Sequence, residues 1–164
     1  MIADHSLASV TKILLILHVI AAIVAIGPIS VAASMFPSAA RSSDPARVGV
    51  LIRICRVYAV VSVAVPLFGF ATAASLHVLG SPWVLASIGL TALAAFVLGF
   101  VILPAQDRIL VTLSPSDGST SHGFDAQFDA KTVTRLAMYT GMFNLLWASV
   151  TVLMILRPGS TTGV

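Results

Sequence analysis

The stretch Ile13–Met35, ILLILHVIAAIVAIGPISVAASM, contains no Asp, Glu, Lys or Arg and has Lys12 immediately before it. A bilayer core about 30 Å thick needs roughly 20 apolar residues in helical form, and this run satisfies that length. Its weakly charged start, with Asp4 offsetting Lys12, and its length beyond a signal-peptide h-region of about 7–15 residues predict a retained helix. Three more stretches qualify: Val57–Leu79 after Arg53 and Arg56, Trp83–Leu103 up to Pro104, and Leu136–Leu156 between Arg135 and Arg157. None holds an internal ionisable acid or a Lys or Arg. With no water in the hydrocarbon, each backbone donor and acceptor must be satisfied within its own segment, so the spans are helices. The expectation is an all-α, polytopic membrane protein: one transmembrane domain over residues 1–164, built as an antiparallel four-helix bundle.

Composition agrees. Of the 164 residues, 58% are hydrophobic and 9% charged, against about 25% charged in a soluble domain. Such a chain can neither cover a water-facing surface nor remain disordered. Its net charge of +3 reads as a topology signal, and nucleic acid is not an expected partner. Arg41, Arg47, Arg53 and Arg56 lie between spans one and two, and Arg108, Lys131 and Arg135 between spans three and four, leaving only Lys12 and Arg157 on the other side. The bias toward basic residues on the inner side of a membrane predicts cytoplasmic loops and both termini outside. The partners implied are the lipid bilayer and, left open, a second copy or a larger membrane complex.

The long cytoplasmic stretch Ala105–Thr134 is the one segment of ordinary polarity. Ser114–Gly123 reads as a loop, and Phe124, Phe128, Val133 and Leu136 as the apolar side of a helix entering span four. His122 with Asp117, Asp125 and Asp129 matches no ligand spacing. Cys55 is the only cysteine, which excludes an internal disulfide and a thiolate metal cage. No nucleophile motif or intramembrane charge points to hydrolysis or ion coupling. Enzymatic activity stays open, with the balance against it.

Inside the spans, Ser87, Thr91, Ala95 and Gly99 recur every four residues, a small-residue ridge that admits a neighbouring helix. Pro28 and Pro66 predict kinks or local unwinding, which border a cavity in some membrane proteins. A small-molecule or quinone cavity at the Pro66 kink is one consequence. Asn144, at mid-depth in span four, predicts a bond to another helix or to a ligand.

His18, six residues after Lys12, and His77, four before Ser81, should lie about 9 Å and 6 Å inside the outer face. Ala21, Ala22 and Ala25 follow His18, and Gly69, Ala73 and Ala74 precede His77. Two imidazoles at one depth over small side chains are the donor set of a bis-histidine haem b, for electron transfer or haem handling near the outer face. Copper on the same pair is a second metal reading. Two interfacial histidines bonded to backbone or water are the plain alternative, matching a non-catalytic accessory or scaffold subunit.

Leu17-His18, Gly27, Asp44-Pro45-Ala46, Pro66–Leu76 with Gly69, Pro82-Trp83, Pro104-Ala105-Gln106 and Met154–Pro158 together resemble a bacterial domain-of-unknown-function family of predicted integral membrane proteins. That resemblance implies a four-helix protein of the bacterial cytoplasmic (inner) membrane with no assigned activity. The Leu-His opening is similar, more distantly, to the copper-resistance D family and to the membrane-type protoporphyrinogen oxidase that uses haem. Only His18 corresponds to their ligand histidine, and residues 23–28, Ile-Val-Ala-Ile-Gly-Pro, depart from the Trp-containing Gly motif of those groups.

Overall fold

The computed structural model describes residues 2–113 and 130–159, and every element among them is helical. The elements are α1 (Ile2–Arg41), α2 (Pro45–Val61), α3 (Ala64–Ser75), α4 (Pro82–Phe96), a π-helical segment (Val97–Ile102), α5 (Leu103–Leu113) and α6 (Ala130–Leu156). Four stretches are long and apolar enough to cross a membrane: Ala8–Arg41, Pro45–Ser75, Pro82–Leu113 and Lys131–Leu156. The expected all-α membrane bundle is the observed fold. The readings placed on Ser114–Gly123, His122, Asp117, Asp125, Asp129, Phe124 and Phe128 lie outside the described residues.

Local chemistry sets the ends. Asp44 caps α2 by accepting the Arg47 N–H at 3.1 Å, and Pro45 occupies the first turn, where its missing N–H costs nothing. Pro82 opens α4 in the same way. The helices run past the apolar stretches: α2 carries Arg47, Arg53 and Arg56 within it, and α1 continues to Arg41. Charge marks where the chain leaves hydrocarbon, and a helix does not have to stop there.

The prolines act unequally. α1 continues through Pro28 and Pro37. Pro66 breaks its span: without an N–H it cannot donate to Ser62, and its ring crowds that carbonyl. The helix opens at Ser62–Val63, and Val65 donates to Ser62 instead, at 3.0 Å. Pro104 likewise cannot donate to Phe100. There the helix widens rather than breaks, and Leu103 donates to Leu98 five residues back.

The main core lies toward the arginine-rich end. Ile29, Phe36 and Ala40 of α1 meet Val48 and Cys55 of α2, with Ile102, Leu136 and Phe143 closing the layer. Toward the other end α1 packs on α3 and leaves Ile13, Ile16, Ile20 and Ile23 exposed, a surface for lipid. A small second cluster of Ala73, Trp83 and Val84 holds that end, with the Arg157 guanidinium 5.8 Å from the Trp83 ring centroid.

Candidate functional site

His18 is half-buried on α1 and faces α3. Its Nδ1 donates to the Val65 carbonyl at 2.9 Å. Because a carbonyl only accepts, this bond places the proton on Nδ1 and gives neutral His18 a lone pair on Nε2. The ring lies on Gly69: a Cβ there would stand 2.9 Å from Cε1 and 3.2 Å from Nδ1. Gly69 therefore admits the imidazole, and the carbonyl of Val65, immediately before Pro66, accepts its hydrogen bond.

His77 is elsewhere. It is exposed, eight residues beyond Gly69, which is about 12 Å along a helix axis. Two nitrogens sharing one iron stand about 4 Å apart; the contacts of His18 are with Val65 and Gly69 inside α3, whereas His77 stands past the end of that helix. Their equal depth assumed that Lys12 and Ser81 mark one level. The α1–α2 turn sets the register instead: His18 is 23 residues before Arg41, and Gly69 is 24 after Pro45. The backbone gives His77 another task, since its φ is +55°. Val78 donates to Ala73 at 3.0 Å and His77 to Ala74 at 3.1 Å, the paired bonds of a Schellman cap with His77 in the position glycine usually takes. Among the described residues no group of three His, Cys or acidic side chains is placed to hold a metal.

Asn144 finds its partner on another helix, its Nδ2 lying 3.2 Å from Ser34 Oγ on α1. Its Oδ1 is buried without a partner, as are Thr140 Oγ1 and Trp147 Nε1. These three sit on one side of α6 at intervals of four and three residues. The ridge of α4 behaves differently from expectation: Ser87 is buried and Thr91 half-buried, but Ala95 and Gly99 are exposed. Steps of four residues advance about 40° per step beyond a full turn, so the ridge rotates off the contact face, and Ala94, Val97 and Leu98 pack in its place.

Where the ridge turns outward it borders a cleft of about 220 Å³. Ser62 and Pro66, at the helix break, form one wall; Thr91 and Gly99 form another; Phe143 and Trp147 of α6 close it. The two aromatic rings meet edge to face, with centroids 6.3 Å apart. The Pro66 kink thus lines this open cleft. One buried polar residue had no role in the sequence reading beyond its place in the Pro104-Ala105-Gln106 motif. Gln106 is fully buried, its Nε2 is 3.8 Å from Cys55 Sγ, and its Oε1 lacks a partner.

Four apolar spans joined by polar contacts between helices define a polytopic helical membrane protein. Residues 12–158 match the family described as "Predicted integral membrane protein (DUF2269)", and the chain belongs to it. No curated protein and no solved structure matches the chain significantly.

Proposed function

We propose that the protein is a non-catalytic accessory or scaffold subunit of a bacterial cytoplasmic membrane, with the arginine-rich end inside and both termini outside. The observation that carries this reading is how its intramembrane polar side chains are used. The His18 ring holds α1 to α3 at Val65 and Gly69, and Asn144 holds α6 to α1 at Ser34. Both contacts join helices and converge on no common centre. Sorting of seven basic side chains to one end supports the orientation.

A second reading rests on the tautomer of His18. An imidazole whose Nδ1–H is fixed by a carbonyl presents Nε2 as a ligand, which supports His18 as a single axial donor to haem b, or a copper ligand, without His77. Absorption spectra separate the readings. The accessory reading expects the chain purified from haem-replete cells to show no stoichiometric Soret band, and cross-linking in native membranes to capture discrete larger species. A stoichiometric Soret band that is lost in His18→Ala and kept in His77→Ala would establish the haem reading instead.

A further inference from the structure

Where α2 packs on α5, the arginine-rich end carries cations that its neighbouring acid does not balance. Arg56 of α2 binds Asp107 of α5 at 2.6 Å, and that pair is neutral as a whole. Arg53, one turn before Arg56, and Arg108, beside Asp107, are both exposed. Among the described residues neither of their side chains has an ion-pair partner. Leu51, Ile52 and Cys55 of α2 and Gln106 and Ile109 of α5 take the inward faces of these helices, which leaves Arg53 and Arg108 on the outward ones.

Depth decides which anion they meet. The apolar run of this span begins at Val57, so Arg53 stands about 6 Å outside the hydrocarbon. The bond to Asp107 sets Arg108 at a similar level. A head-group layer is about 5–7 Å deep on each side of the core, and both guanidiniums therefore lie in the layer that holds lipid phosphates. Arg47 is about 9 Å further out along α2, and Arg41 ends α1 at the turn before it; both stand beyond that layer.

The same face of α2 separates a lipid from a soluble anion. Val57 and Val60 come four and seven residues after Arg53, in line with it along the helix, and both are exposed. A guanidinium above a strip of exposed valines that runs into the bilayer fits an amphiphile with an anionic head and an acyl chain. Guanidinium matches phosphate oxygens in geometry as well as charge. A zwitterionic lipid would bring its own cation to two unbalanced ones, and an acidic lipid does not.

We propose that the α2–α5 seam is a site for an acidic phospholipid such as phosphatidylglycerol. Arg53 and Arg108 hold its phosphate, and an acyl chain lies on Val57 and Val60. The proposal is independent of the accessory reading.

The test is native mass spectrometry of the full chain in non-ionic detergent, titrated separately with dioleoylphosphatidylglycerol and dioleoylphosphatidylcholine. Each basic side chain near an acidic lipid surface contributes roughly fivefold in affinity, so the first phosphatidylglycerol should bind at least tenfold tighter than the first phosphatidylcholine. Arg53→Ala with Arg108→Ala should weaken phosphatidylglycerol about twentyfold, whereas Arg41→Ala with Arg47→Ala, which removes the same charge, should cost less than about twofold. Asp107→Asn frees Arg56 for the phosphate and should tighten binding about fivefold; the exposed ion pair it removes contributes little to folding. Inorganic phosphate at the lipid's concentration should not displace the lipid. Equal affinity for the two lipids overturns the proposal, as do equal losses in the two double variants or no gain in Asp107→Asn. Displacement by inorganic phosphate means a site for a soluble anion, and also overturns it.

Discussion

Replacing Gly69 by alanine sets two known effects against each other at one atom. Within a helix, alanine is favoured over glycine by about 0.5–1 kcal/mol. The new methyl carbon, however, would stand 2.9 Å from His18 Cε1 and 3.2 Å from Nδ1, closer than the roughly 3.5–4.0 Å of optimal carbon contacts. The ring must move by several tenths of an ångström, and its 2.9 Å bond to Val65 lengthens with it. Overpacking costs about 1–3 kcal/mol, and an interhelical bond in a membrane is worth about 0.6 kcal/mol on average. The net expectation is a loss of about 1–2 kcal/mol. In a His18→Ala background the obstacle is gone, and the same substitution should stabilise by about 0.5–1 kcal/mol. A double-mutant cycle isolates the contact, measured by reversible unfolding in mixed micelles with helicity as the signal. Its coupling should be near 2 kcal/mol. Equal effects of Gly69→Ala in the two backgrounds, or stabilisation in both, would refute the reasoning.

Other substitutions test neighbouring parts of the account. His77→Gly should stabilise the chain by about 1 kcal/mol in the same unfolding assay, because His77 stands at φ +55° where glycine meets no penalty; a loss of stability would mean that its side chain is engaged. Ser34→Ala should cost about 0.5–1.5 kcal/mol by leaving the Asn144 amide without its partner, whereas Asn144→Leu, which also removes the unpaired Oδ1, should cost less. Phe36→Ala should cost about 2 kcal/mol from its cavity alone, since Phe36 is fully buried, while Ile23→Ala at 69% exposure should be nearly neutral. With Cys55 replaced, Ser43→Cys should be labelled from the cytoplasm and Gly80→Cys from outside. The reverse pattern would invert the proposed orientation.

The spans were legible because length and absence of charge are properties of a segment considered alone. Pro66 was legible for the same reason: a missing N–H acts within one turn of its own helix. Register was not. It depends on where α1 turns into α2, and the arginines of α2 gave no sign that its helix begins at Pro45. Measuring depth from the nearest charge therefore set His18 level with His77, when the α1–α2 hairpin sets it level with Gly69. The strict four-residue spacing from Ser87 to Gly99 likewise concealed a rotation that carries Ala95 and Gly99 away from the packed face. The π-helical turn before Pro104 and the left-handed backbone at His77 had no residue signal of their own beyond the proline and a Leu-His-Val sequence. Gly69 was the useful signal for the His18 contact, because a glycine inside an apolar helix invites the question of what approaches it.

Pairwise cysteine cross-linking in membranes, in a chain with Cys55 replaced, tests the central claim most directly, since it reads the register of α1 against α3 without depending on any ligand. The structure predicts that His18→Cys combined with Gly69→Cys forms a disulfide within one chain, and that His18→Cys combined with His77→Cys does not. Efficient cross-linking of positions 18 and 77, with none between 18 and 69, would contradict the account and return the two histidines to a shared site.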